Sequence, residues 1–233
     1  MRIGLLGDVH GNHRALKAVL SVASISGLES LLITGDLVGY YDAPLAVLDM
    51  LRSWKYYLVR GNHEDMLKTA RYDDDFLTKV DAKYGAGLRS AIEQLTDKQL
   101  DELCNLPHPL ELEIDSCKIL LCHGAPWDIN QYVYPDAKPE LLERCAQQQY
   151  DLIVLGHSHY PMSHRIGKTL VVNPGSVGQP RNGQPGAHWA IFDTETHNLQ
   201  LCKEEYDYSA LVYECKQRNP ELPYLVDVLK RLN

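Results

Sequence analysis

In Leu31-Leu32-Ile33-Thr34-Gly35-Asp36 an apolar run stops at a glycine and a carboxylate follows at once. The same grammar recurs in Leu5-Leu6-Gly7-Asp8-Val9-His10 and Tyr57-Leu58-Val59-Arg60-Gly61-Asn62-His63. It recurs again in Ile119-Leu120-Leu121-Cys122-His123-Gly124 and Ile153-Val154-Leu155-Gly156-His157-Ser158-His159. A short apolar run bounded by turn residues reads as a buried strand. Each such strand ends in a side chain able to bind metal, at the carboxyl edge where open α/β sheets build their sites.

The segments between these strands carry helical periodicity. Leu16, Val19, Leu20 and Ala23 predict a helix over His13–Ser26 closed by Gly27, and Asp42-Ala43-Pro44 opens a second helix with Leu45, Val47, Leu48 and Leu51 on its apolar face. Residues 64–108 lose the strand pattern and read as a helical insertion beside the site. Leu110–Ile114 alternates apolar and acidic residues, Asp115-Ser116 suits a hairpin turn, and Lys118–Cys122 follows as a buried strand. A helix is expected over Pro139–Gln148. Strands are expected over Met162–Arg165, Leu170–Asn173, His188–Asp193 and Leu199–Tyr206. Leu225, Val228, Leu229 and Leu232 then predict closing helices.

The chain has 233 residues and a net charge of -8, enough for one domain with a sizeable core and without the basic surface of a nucleic-acid binder. Stable nucleic-acid binding is therefore not expected. No apolar run approaches membrane-spanning length and the first residues do not read as a signal peptide, so a cytoplasmic location is expected. The six cysteines show no Cys-x-x-Cys spacing and read as free thiols, mostly buried.

The strand ends supply Asp8, His10, Asp36, Asn62, His123, His157 and His159: two carboxylates, one amide oxygen and four imidazoles. One divalent ion takes about four to six ligands including water, so seven donors are too many for one site. Two ions sharing Asp36 fit the count, since a carboxylate spans the roughly 3.5–4 Å between ions of a two-metal site. Imidazole mixed with oxygen donors favours Mn, Fe, Co, Ni or Zn over Mg or Ca, with manganese the first expectation. The absence of thiolates argues against a structural zinc cluster.

Taken together, Gly7-Asp8-Val9-His10-Gly11-Asn12, Gly35-Asp36, Gly61-Asn62-His63-Glu64, His123-Gly124 and Gly156-His157-Ser158-His159 resemble the calcineurin-like metallophosphoesterase superfamily. The loop Asn173–Arg181 extends the likeness to its small prokaryotic branch of phosphodiesterases and diadenosine tetraphosphatases. The resemblance implies a mixed α/β, four-layer α-β-β-α sandwich, with residues 1–233 forming a single domain. It implies that Asp8, His10, Asp36 and His159 hold one metal, and that Asp36, Asn62, His123 and His157 hold the other. His63 would be the general acid, binding neither ion, and Glu64 would either orient it or lie beyond the site. A hydroxide between the ions would attack phosphorus in line while His63 protonates the leaving oxygen. Asn12 reads as a substrate contact or a helix cap, and Arg181 as a phosphate clamp or a loop-stabilising ion pair.

The remaining residues have plainer readings. His13, His108, His164, His188 and His197 read as surface or local hydrogen-bonding residues, and Arg60 as structural. Fourteen tyrosines against two phenylalanines invite a base-stacking role, but only Tyr40, Tyr41, Trp127, Tyr132 and Tyr134 fall in loops expected to rim the site. Tyr41 departs from the branch, which often carries glycine there. The expected substrate is a small phosphodiester, dinucleoside polyphosphate or phosphomonoester. The competing readings are a Ser/Thr phosphoprotein phosphatase, for which the chain is short, and a silent scaffold of the same fold, against which the full ligand set and His63 argue.

Overall fold

The computed structural model describes residues 1–146 and 150–231. The chain begins β1 (Arg2–Leu6), α1 (His13–Ile25), β2 (Ser30–Ile33), α2 (Pro44–Leu51) and β3 (Tyr56–Leu58). Four helices follow: α3 (Asn62–Ala70), α4 (Asp74–Tyr84), α5 (Gly87–Gln94) and α6 (Asp97–Cys104). Then come β4 (Leu110–Ile114), β5 (Cys117–Leu121), α7 (Pro139–Cys145), β6 (Leu152–Val154), β7 (Met162–Ile166) and β8 (Thr169–Asn173). The described chain closes with β9 (Ala187–Asp193), β10 (Leu199–Glu204), α8 (Ser209–Arg218) and α9 (Tyr224–Lys230). The expected helical end at Gln148 and the apolar Leu232 lie outside the described residues.

The strands form two mixed sheets, ordered β10-β9-β1-β2-β3 and β4-β5-β6-β8-β7. Side-chain alternation assigns each face. Ile3, Leu5, Leu32, Ala190 and Phe192 of the first sheet meet Ile119, Leu121, Leu152, Val154, Leu170 and Val172 of the second in one buried layer. The opposite faces carry helices. Leu6, Leu31, Ile33, Trp189 and Ile191 pack under α1 to α6. Leu120, Ile153 and Val171 pack with Leu142 and Cys145 of α7. Helix, sheet, sheet, helix is the four-layer sandwich that the resemblance implied.

Parallel pairing of β1, β2 and β3, and of β5, β6 and β8, puts the carboxyl ends of three strands in each sheet at a shared edge. Asp115 and Ser116 take φ of 50° and 63° in the β4–β5 hairpin, as a tight two-residue turn requires. The helical insertion is not a separate lobe. Leu67, Leu77, Leu88 and Leu100 from α3, α4, α5 and α6 join the same apolar cluster as α1 and α2. Asp42 does not cap α2, whose N-cap is Ala43. Its carboxylate instead accepts from Ser90 Oγ at 3.1 Å and lies 3.3 Å from Arg218.

Candidate metal centre

Five of the seven expected ligands adopt left-handed backbone: Asp8 (φ 52°), His10 (51°), Asp36 (53°), His157 (64°) and His159 (62°). Non-glycine residues enter this region at a cost, and such residues cluster at functional sites. After β1 and β6 this conformation lets residues two apart in sequence, Asp8 with His10 and His157 with His159, both reach the centre. Asp8, His10 and His159 bring donor atoms within 4.8 Å of one another, as do Asp36, His123 and His157. All six are buried. Asn62, the first residue of α3, places Oδ1 2.9 Å from His123 Nε2.

The imidazole tautomers are set from behind. The Nδ1–H of His10 donates to the Val38 carbonyl (3.0 Å), that of His123 to Thr34 (2.8 Å) and that of His159 to Gln179 (2.6 Å). A carbonyl can only accept, so each Nε2 keeps a lone pair. These lone pairs face one another and further acceptors. His10 Nε2 lies 3.2 Å from His159 Nε2, and His123 Nε2 lies 3.1 Å from His157 Nδ1. Asp36 Oδ2 lies 3.7 Å from His10 Nε2 and 3.5 Å from His123 Nε2, between the two groups. Asp8 Oδ2 is buried and has no hydrogen-bond partner among the described residues. Acceptors converging on acceptors in a buried site fit cations, and backbone carbonyls behind imidazoles are the usual support of metal-binding histidines.

The titration behaviour agrees. Burial pushes Asp8 up to about 8 and holds Asp36 well above the ordinary 3.8, with the Glu64 and Asp8 carboxylates adding to the burial effect at Asp36. Burial, followed by neighbouring cationic groups, holds His10, His123 and His159 well below the ordinary imidazole value and His157 at about 4. Carboxylates raised in the folded state give the metal-free protein stability that is present below about pH 4 and lost as pH rises toward 8. A bound cation removes that loss by keeping them ionised. Chelation is therefore expected to lower the melting temperature more at pH 8 than at pH 6. Calorimetry with and without chelator at both pH values checks this, and equal drops would contradict it.

His63 stands beside the ligands, its ring 4.7 Å from that of His10 and between Tyr40 (4.8 Å) and Tyr84 of α4 (5.4 Å). Its donor atom also falls within 4.8 Å of those of His10 and Asp36, so proximity alone does not separate it from the ligands. Burial, then the Arg181 charge, lowers it to about 3, and its buried Nδ1 has no hydrogen-bond partner among the described residues. Gly39 (φ 89°) passes so close that a Cβ there would overlap Nδ1. Only glycine accommodates both that backbone and that approach.

Glu64 holds a backbone loop rather than the His63 ring. It is fully buried and does not contact His63 through a hydrogen bond. Its Oε2 accepts from the backbone N–H of Asp36 (2.9 Å) and Gly61 (2.8 Å), and its Oε1 from Leu37 (2.8 Å) and Val38 (3.4 Å). It thus pins the loop after β2 to the start of α3 and fixes where Asp36 points. Glu64→Gln must turn an NH2 toward N–H donors on one side. Unpaired buried donors cost about 1–3 kcal/mol each, so a loss of about 2–6 kcal/mol in unfolding free energy is expected by denaturant titration. A change below about 0.5 kcal/mol would contradict this role.

The residues expected at the rim divide. Asn12 is buried, its Oδ1 capping α1 at Ala15 N (3.1 Å) and its Nδ2 donating to Gly178 O and Tyr206 OH, both at 2.9 Å. Its polar atoms are engaged within the protein. Arg181 donates through Nη2 to Tyr40 OH and Gln179 Oε1, both at 2.9 Å, and its charge is felt at Asp8, His63, His157 and His159. Tyr40 and Tyr41 are buried rather than at the rim, because α9 covers their loop, and Tyr41 OH donates to Leu225 O at 3.0 Å. Trp127 carries the Arg144 guanidinium 3.8 Å above its ring. Tyr132 and Tyr134 are exposed, and Tyr132 stacks on His157 with ring centroids 4.0 Å apart. His188 is buried and Nε2 donates locally to Gln184 O at 2.8 Å, while Arg60 pairs with Asp65 at 2.6 Å. Five of the cysteines are buried free thiols and Cys202 is partly exposed.

Comparison with known proteins agrees with this geometry. The model of the calcineurin-like phosphoesterase superfamily domain matches residues 1–197. An uncharacterized protein of Methanocaldococcus jannaschii is 30% identical over 239 residues, covering 94% of each chain. The phosphodiesterase YfcE of Escherichia coli is 24% identical over 212 residues, covering 84% of this chain and 89% of its own. The crystal structure of a metallophosphoesterase from Sphaerobacter thermophilus superposes with a TM-score of 0.81 at 27% identity, covering 99% of this chain and 98% of that one.

Proposed function

The chain belongs to the calcineurin-like phosphoesterase superfamily of metal-dependent hydrolases, and we propose that it is a dinuclear enzyme hydrolysing small phosphoesters. The observation that carries this reading is Asp36 Oδ2, set between two groups of inward-facing acceptors. Asp8, His10, Asp36 and His159 would hold one ion and Asp36, Asn62, His123 and His157 the other. Two such ions, manganese first, supply an activated water and charge neutralisation at phosphorus.

The chain's own residues do the rest. His63 delivers a proton to the departing oxygen. Free imidazole at this position is neutral at pH 7, because burial and Arg181 hold it at about 3. Its proton is therefore taken up together with the anionic substrate, whose charge offsets Arg181. Arg181 holds a phosphoryl oxygen, positioned by Tyr40 and Gln179. Gly39 keeps the His63 ring in place, and Glu64 keeps Asp36 in place.

Crowding of His63 by Tyr40 and Tyr84 favours a small ester over a phosphorylated protein. The test is a substrate screen with added Mn or Ni, comparing a phosphodiester, a phosphomonoester, diadenosine tetraphosphate and a phosphopeptide. Metal-dependent turnover of at least one of the first three is expected. Turnover of the phosphopeptide alone would support a phosphoprotein phosphatase instead, and none at all would support a silent scaffold.

A further inference from the structure

Tyr132 lies flat against His157, with ring centroids 4.0 Å apart and planes 22° apart. Tyr134 continues the stack 5.5 Å further on, nearly parallel to Tyr132 at 8°. Tyr160 then meets Tyr134 edge-on at 5.7 Å and 76°. This is a row of rings running outward from a candidate metal ligand to the surface.

Packing of His157 accounts for Tyr132 but not for the continuation. Tyr132 is 39% and Tyr134 40% exposed, among the most exposed large rings of the chain. Tyr134 keeps this exposure although it stacks on Tyr132, and it forms a near-perpendicular corner with Tyr160. Tyr160 also lines a surface cleft with Pro135, Gln184 and Lys203, of which Tyr134 is not part. Arg181 sits at the inner end of the row, where a phosphoryl group would lie.

Resting on the phosphoester reading above, the geometry points to an aromatic subsite at Tyr134 and Tyr160 that takes the base of a nucleoside phosphate ester. The phosphorus lies at the metal centre, the sugar spans Tyr132, and the base stacks in the corner of Tyr134 and Tyr160. Every base has a π-face, so this subsite selects a nucleoside over a plain sugar phosphate without selecting one base.

The test uses the full-length, manganese-loaded protein and two ligands with the same non-hydrolysable 5′-phosphonate, one on adenosine and one on ribose. Titration calorimetry is expected to find the adenosine ligand bound about tenfold more tightly, as one stacked base provides. Tyr134→Ala should remove that ratio and leave ribose phosphonate affinity unchanged, while Tyr134→Phe should keep the ratio. Equal affinities in the unmodified protein overturn the subsite. So does a Tyr134→Ala effect of equal size on both ligands, which would make Tyr134 a prop for His157. Failure of ribose phosphonate to bind would count against the phosphoester reading alone. Adenosine, followed by tyrosine fluorescence, then still reports the row, and its failure to bind would overturn the subsite.

Discussion

Asp36→Asn is expected to empty both metal positions at once and to lower turnover by about 10³-fold or more, given the several kcal/mol that metal ions contribute at phosphorus. The amide preserves the shape and can still accept the His63 backbone N–H that Asp36 Oδ1 receives at 2.8 Å. It cannot preserve the charge at the Oδ2 position, which lies between His10 Nε2 and His123 Nε2. The variant also removes a buried carboxylate whose ionisation burial opposes. Its metal-free form should therefore melt no lower than that of the parent protein. Elemental analysis paired with a melting curve separates loss of metal from loss of fold. Retention of either ion at full occupancy would show that Asp36 is not shared.

His63→Ala should behave in the opposite way, keeping its metal while losing turnover. General acid catalysis typically contributes about 10²–10⁴ in rate, and a drop in that range is expected for esters with poor leaving groups. For a p-nitrophenyl ester, whose leaving group needs little protonation, the drop should be much smaller. That contrast matters because the His63 donor atom lies within 4.8 Å of donor atoms of His10 and Asp36, as a ligand would. A fall in metal content, or equal losses for good and poor leaving groups, would assign His63 to the metal rather than to the leaving oxygen.

The strand ends were legible because their information is local. In each, an apolar run, a turn glycine and a polar donor follow within a few residues, and the sheet brings the ends together. The inter-sheet layer was legible for the same reason, since alternation along β5, β6 and β8 sorts Ile119, Leu152 and Leu170 from Leu120, Ile153 and Val171. What escaped depends on contacts distant in sequence. Glu64 follows His63 directly, yet α3 turns it onto the loop of Asp36, Leu37 and Val38. Tyr41 sits in a loop, yet α9, nearly two hundred residues later, buries it. Asn12 carries a cap signature, but its partners Gly178 and Tyr206 are long-range. The left-handed backbone at His10, His157 and His159 leaves no trace in composition, because histidine does not announce that conformation as glycine does.

A pair of ions sharing the Asp36 carboxylate has a stoichiometry that can be counted. Native mass spectrometry of the purified protein, stripped and then titrated with manganese, tests it most directly. Saturation is expected at two ions per chain in the parent protein, with none bound to Asp36→Asn. Saturation at one ion per chain in the parent protein, or either ion still bound at full occupancy in the variant, would contradict it.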